Sequence, residues 1–162
     1  MSGGTSASFV YHAFGRRMKK TVGGTTTQFV YDGMNPVQEL DGASTPSVTA
    51  NLLAGGIDEY FTRADSSGTM NFLTDALGSA IAVTDSSGSI NTSYTYEPFG
   101  NVAVTGSNGN PYQFTGREND GTGLYFYRAR YYSPILQSFI TQDPIDFEAG
   151  QTDLYGYVLM TP

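Results

Sequence analysis

Aromatic or β-branched residues take alternate places in a series of short segments, as in Phe9-Val10-Tyr11, Phe29-Val30-Tyr31 and Tyr94-Thr95-Tyr96. A period of two puts the rings on one face of a β-strand. A polar residue follows each segment and a Gly or Asn comes soon after, which makes a tight reversal where positive φ is tolerated. Gly15, Gly78 and Gly100 hold that place, and Gly116 is read the same way. A second strand leaves each reversal, for example Ile81-Ala82-Val83-Thr84 or Val102-Ala103-Val104-Thr105, and runs into a Gly-rich turn such as Asp85-Ser86-Ser87-Gly88. The pattern predicts a series of β-hairpins.

The hairpins repeat. Four segments align at residues 9–16, 29–36, 72–79 and 94–101, with starts 20, 43 and 22 residues apart. That is one, two and one copies of a unit of about 21 residues. The extra copy falls near residues 50–60, where Leu52 to Tyr60 gives no clear match. One hairpin cannot bury its aromatic face alone, so neighbours must share a surface. The expected architecture is all-β: consecutive antiparallel hairpins forming a curved sheet, with at most a short helix near the C-terminus.

Composition agrees with this. The 162 residues include 20 Gly, 12 Tyr and 10 Phe, and 14% are charged, which suits turns and pleated surfaces in a single architecture. The net charge of −7 argues against a general attraction to nucleic acid or anionic lipid. The one basic cluster, Arg16, Arg17, Lys19 and Lys20, reads as a solvated strand face. There is no cysteine, which excludes disulfides and thiolate metal sites. No run approaches the roughly 18 apolar residues of a membrane helix, and Met1 to Thr5 has no charged-then-apolar pattern of a signal peptide.

The repeat unit, with Tyr31-Asp32 at its centre, resembles the YD repeat of Rhs, Tc-toxin C-component and teneurin proteins. His12 and Glu97 depart from the aspartate of that pair, and Thr74 replaces its tyrosine. The C-terminal third is more specific. Tyr112-Gln113-Phe114-Thr115-Gly116-Arg117-Glu118 is followed by Thr122-Gly123-Leu124-Tyr125-Phe126-Tyr127-Arg128-Ala129-Arg130-Tyr131-Tyr132-Ser133-Pro134. Phe139-Ile140 and Asp143-Pro144-Ile145 come next. This resembles the Rhs repeat-associated core in its usual order, and the likeness spans roughly residues 9–158.

The resemblance implies hairpins spiralling into a hollow shell around a C-terminal toxin, with the core segment plugging one end. On this basis residues 1–110 are expected to form the repeat hairpins, and 111–162 a truncated core segment continuous with the same sheet. In several members of the family the core is an aspartyl autoprotease that releases the cargo. Carried over by motif, Asp143 is its first carboxylate and Arg130 its assisting arginine.

An aspartic protease needs two carboxylates sharing a proton, and the family's second lies in a later Asp-Pro-x-Gly-Leu motif, expected a few residues beyond Pro162. Asp146 stands where the family has Gly, Ser138 where an arginine is usual, and both late asparagines of the family signature are missing from Asp153–Pro162. Asp146 or Asp153 is the alternative partner for Asp143.

Other groups read blandly. His12, the single histidine, occupies a turn slot. Asp65-Ser66-Ser67-Gly68 and Asp85-Ser86-Ser87-Gly88 offer too few carboxylates for a metal and read as Asx turns. Asn91-Thr92-Ser93 carries little weight as a glycosylation acceptor. Tyr11, Tyr31, Tyr96, Tyr125, Tyr127, Tyr131 and Tyr132 are expected to form an aromatic inner wall.

The leading expectation is a structural, encapsulating element that is non-catalytic as it stands and needs no cofactor or metal. Its open strand edges would meet the rest of a shell or copies of itself, as an oligomer or filament. Its setting would be bacterial and extracellular or at the cell surface, with a C-terminal toxin as cargo. An incomplete autoprotease and a glycan-binding adhesin are the alternatives.

Overall fold

The computed structural model describes residues 5–107, 109–144 and 153–157. Ten strands make one antiparallel sheet whose spatial order is the chain order. They are β1 (Ala7–Tyr11), β2 (Arg17–Val22), β3 (Thr25–Asp32), β4 (Asn35–Leu40), β5 (Val48–Ala54), β6 (Tyr60–Asp65), β7 (Gly68–Thr74), β8 (Ala80–Thr84), β9 (Ile90–Tyr96) and β10 (Val102–Gly106). Each strand is hydrogen-bonded to its sequence neighbours, so the sheet is five hairpins laid side by side.

The hairpin that the sequence leaves blank is present as β5 and β6. Its turn, Gly55–Glu59, closes with Gly55 N donating to Glu59 O at 2.9 Å. Leu52 and Leu53 take the place of the ring-bearing residues, and the ring is supplied by Tyr60 on the return strand, buried against Leu52 and Tyr112. The unit was hidden because its aromatic residue had moved across the turn.

Register shifts recur just before the turn in four hairpins, at Val10/Tyr11, Val30/Tyr31, Leu53/Ala54 and Leu73/Thr74. A bulge adds local twist and bends its strand. Repeated at one step of the repeat, it curls the whole sheet in one direction.

The chain after β10 does not extend that sheet, contrary to the expectation of a continuous one. Strands β11 (Glu118–Asn119), β12 (Tyr125–Tyr127), β13 (Arg130–Ser133) and β14 (Ser138–Phe139) form their own four-stranded antiparallel sheet. The physical reason lies in Tyr112 and Phe114, which are both buried. They turn the chain across the concave aromatic face, and pairing along the β10 edge would leave both rings in water. A single 3-10 turn, Phe114–Gly116, is the only helical geometry among the described residues.

Three aromatic clusters fill the space between the sheets. Met70, Ala80, Val83 and Tyr94 form one, and Leu52, Tyr60 and Tyr112 a second. Phe114, Tyr125, Tyr132 and Phe139 form the third, which Tyr96 connects to the first.

Candidate functional site: the joint between the two sheets

The joint begins at the first hairpin with a buried cluster of charge. Arg17 sits on β2 directly after the first turn and has no exposed surface. Its Nη1 donates to Asp120 Oδ2 at 2.6 Å and to the Tyr131 hydroxyl at 3.1 Å, and its Nη2 pairs with Glu118. Lys20 Nζ reaches Glu118 Oε1 at 2.5 Å and Asp120 Oδ1 at 3.4 Å. The Phe126 ring lies under the guanidinium, 3.8 Å from its centroid. Two cations therefore face two carboxylates in a dry site.

The electrostatics follow from that geometry. Burial disfavours the charge on Arg17, but Glu118 and Asp120 outweigh it and hold the guanidinium above its ordinary value. Burial likewise works against ionised Glu118, yet Lys20 and Arg17 prevail and lower its pKa. Asp120 is shifted upward by burial and by Glu118 beside it. Two members of the basic cluster, Arg17 and Lys20, are thus not on the solvated face that the sequence suggested. Period-two acidic residues at 118 and 120 were the signal that a charged strand face waited for them.

The next hairpins are held differently. Glu39, on β4, accepts the Tyr112 hydroxyl at 3.0 Å and pairs with Arg63 at 2.7 Å. Asp58, in the third turn, lies between Arg117 (3.0 Å) and Arg128 (2.5 Å). In the fourth hairpin the Ser79 hydroxyl accepts Thr115 N at 3.1 Å, and Ala80 N donates to Gln113 O at 3.1 Å.

At the fifth hairpin tyrosine hydroxyls donate to turn carbonyls: Tyr125 to Gly100 O at 3.2 Å and Tyr132 to Phe99 O at 2.8 Å. Burial raises the Tyr132 phenol to about 12, so it stays a neutral donor. The segment from Tyr112 to Tyr132, which leads into the second sheet and includes most of it, is therefore bonded to all five hairpins.

Gly15, Gly78, Gly100 and Gly116 all have positive φ. At two of them space matters as well. A Cβ on Gly100 would lie 2.5 Å from the Phe114 ring, and one on Gly116 would meet the Asp58 carbonyl. Both are places where the 3-10 turn Phe114–Gly116 meets the turn of a hairpin.

The seven tyrosines divide between the sheets. Tyr11, Tyr31 and Tyr96 are on the large sheet, while Tyr125, Tyr127, Tyr131 and Tyr132 are on the small one. Tyr11 and Tyr131 share a hydrogen bond of 2.7 Å. Tyr31 donates to Arg17 O at 3.0 Å, and burial raises its phenol to about 12. Tyr96 donates to Ala80 O at 2.7 Å, and Tyr127 bonds to Thr115 and Tyr157.

Arg130 and Asp143 come together, Nη2 to Oδ2, at 3.0 Å, with the Arg130 guanidinium over Phe139. Asp143 N donates to Leu154 O at 2.9 Å. Asp153 turns its carboxylate to Tyr155 N at 2.9 Å. Asp146 lies outside the described residues. His12 Nδ1 accepts Phe14 N at 2.8 Å within the first turn. Asp65 and Asp85 form Asx turns with Ser67 and Ser87, and the Ser87 hydroxyl with nearby amides holds Asp85 below the usual carboxylate range. Among the described residues no group of three or more His, Cys, Asp or Glu is placed to hold a metal, and no helix is long and apolar enough to cross a membrane.

No protein-family model matches the chain. The tRNA3(Ser)-specific nuclease WapA of Bacillus spizizenii is 32% identical over 159 residues, covering 93% of this chain and 7% of that protein. The double-stranded DNA deaminase toxin A of Burkholderia cenocepacia is 29% identical over 183 residues, covering 92% of this chain and 13% of that protein. The crystal structure of TcdB2-TccC3 superposes with a TM-score of 0.72 at 25% identity, over 94% of this chain and 8% of that one. These likenesses support an Rhs-associated, toxin-type domain. Its five hairpins and small closing sheet follow the fold of a small portion of the solved TcdB2-TccC3 chain. This chain spans about a tenth or less of the length of most of the relatives it matches.

Proposed function

We propose that the chain is a wall segment of an Rhs-type toxin shell, with its second sheet serving as an inward brace that fixes the curvature of the strip. The observation that supports this is the bonding of residues 112–132 to every one of the five hairpins, through Arg17, Glu39, Asp58, Ser79 and Phe99 in turn. A brace touching each rib sets their spacing as well as covering them. Among the described residues β1 and β10 are paired on one side only, and such edges favour continuation edge to edge with further shell or with copies of itself. Relatives that are a tRNA nuclease and a DNA deaminase toxin favour a toxin as the cargo; its C-terminal place and an extracellular or cell-surface setting complete the proposal.

Light scattering after size exclusion tests this. The chain is expected to associate with rising concentration, and a lysine in the β10 edge, Val104→Lys, to reduce that association. A monomer at every concentration would sink the reading in which the edges pair with copies of the chain.

The Arg130–Asp143 pair supports a second reading, an autoprotease centre. In it Asp143 would be one carboxylate of a pair and Arg130 would position it. Intact-mass spectrometry over time should then show a fragment that disappears in Asp143→Asn. An unchanged mass in both chains would dismiss it.

A further inference from the structure

Between the first three turns and the second sheet lies a cavity of ≈ 350 Å³, within the range of small-ligand pockets. Its walls are apolar: Phe14 and Met34 come from the turns, Tyr31, Pro36 and Tyr60 from the strands, and Phe126 from β12. Phe14 is 91% exposed at this site, with His12 as its ring partner at 5.4 Å. An aromatic ring left so open gains from any apolar group that enters.

The polar lining is unbalanced. It holds Arg16, Arg17, Arg117 and Arg128 but only two carboxylates, Asp58 and Glu118. The Nη atoms of Arg17 are already paired with Glu118 and Asp120, although its Nε is buried with no acceptor. Arg117 and Arg128 must share the single carboxylate of Asp58. Arg16 has no side-chain ion pair or hydrogen bond among the described residues. The Nε of Arg117 is buried with no acceptor. Burial, with Arg128 nearby, lowers the pKa of Arg117, as for a cation short of counter-charge. In a protein of net charge −7, this is a local excess of positive charge around an apolar hole.

The backbone adds an independent sign. Asp58 and Arg128 are both non-glycine residues at φ near +60°, and Thr115, beside the Gly116 that presses on Asp58, is at φ 50°. Strain of this kind collects at ligand sites, where surrounding contacts hold it in place.

We infer that this cavity binds an apolar group carrying a carboxylate, with the chain or ring among Phe14, Met34 and Phe126 and the anion drawn to Arg16 and Arg117. The inference does not depend on the shell reading. The same chemistry is offered by a free arylalkanoate and by a peptide segment with an aromatic residue next to an aspartate.

Isothermal titration of the chain with three probes tests it: 4-phenylbutyrate, its neutral amide, and a capped peptide with Phe next to Asp. At least one acid probe should bind saturably, and whichever of the two binds tighter names the source. The amide should bind about tenfold more weakly than phenylbutyrate, since a hydrogen bond to a charged group is lost. Arg16→Gln should cause a similar loss, while Phe14→Ala costs roughly fivefold. Lys19→Gln, outside the cavity lining, should leave binding unchanged, and unaltered thermal melting of Arg16→Gln would show that its fold is intact. Two results overturn the inference: no saturable binding of either acid, or an amide and an Arg16→Gln chain that bind like the acid and the parent.

Discussion

The two ends of the joint solve the same problem with opposite chemistry. At the first hairpin the sheets meet through Arg17, Lys20, Glu118 and Asp120, charges largely removed from water and paired with each other. At the fifth they meet through Phe114, Tyr125 and Tyr132, where rings fill the space and hydroxyls reach turn carbonyls. The aromatic end gains from burial itself. The ionic end carries a desolvation cost that its pairing must offset, so it adds little net stability while making wrong registers expensive. A brace placed by rings alone could slide along a Tyr-rich wall. Four charges that match in one arrangement fix it.

The sharpest way to break this contrast is Arg17→Met. It leaves Glu118 and Asp120 facing each other with Lys20 alone, and should cost about 3–5 kcal/mol, read by urea denaturation. Exchanging all four charged residues for apolar ones of similar volume should recover most of that loss. If the single change is nearly silent, the ionic end is not a lock.

A smaller effect is expected from Gly116→Ala, which combines a left-handed backbone with a clash on the Asp58 carbonyl and should cost on the order of 2 kcal/mol. Thermal melting would detect it, and an unchanged midpoint would show that the third turn yields freely. At the aromatic end Tyr132→Phe keeps the ring and loses one hydrogen bond to Phe99 O, a cost of about 1 kcal/mol. A loss as large as that of Arg17→Met would erase the difference between the ends.

The smallest effect is in the pH dependence. The lowered pKa of Glu118 gives stability that is present above its unfolded value and lost as pH falls through the folded one. Asp120 is raised, so the folded chain takes up its proton first and this group favours folding more as pH falls. The two oppose each other, and the parent should be only weakly acid-sensitive around this site. Asp120→Asn removes the compensating half, so the parent's advantage over it should widen as pH falls from 7 toward about 4. Urea titrations at several pH values would measure this, and a gap that narrows in acid contradicts the assignment.

Much of the fold was legible because hairpins are local. Tyr11, Tyr31 and Tyr96 sit one repeat unit or more apart, yet each lies within a few residues of the turn that orients it, so periodicity alone places them. The third hairpin escaped for a local reason, since Leu52 and Leu53 replaced the marker aromatic and Tyr60 took over from the far side of the turn. The brace was legible as a motif but not as a second sheet. Asp143 and Arg130 were named by resemblance, and the structure brings them within 3.0 Å. The cavity had no sequence signature, because its lining comes from separate turns and from residues 112–129.

By itself the sequence determined four of the five hairpins of the large sheet and the order in which they pair, since each depends on alternation and on glycine placed within a few residues. Only the tertiary structure decided that Arg17 is a buried ion-pair partner of residues about a hundred positions away, and that Phe14, Arg16 and Arg117 enclose one cavity. The reason is physical. Backbone pairing between neighbours is fixed by local geometry, whereas the partner of a charge or the filling of a concave face is chosen by whatever the folded chain brings near, and a charge in sequence looks the same whether water or a carboxylate will meet it.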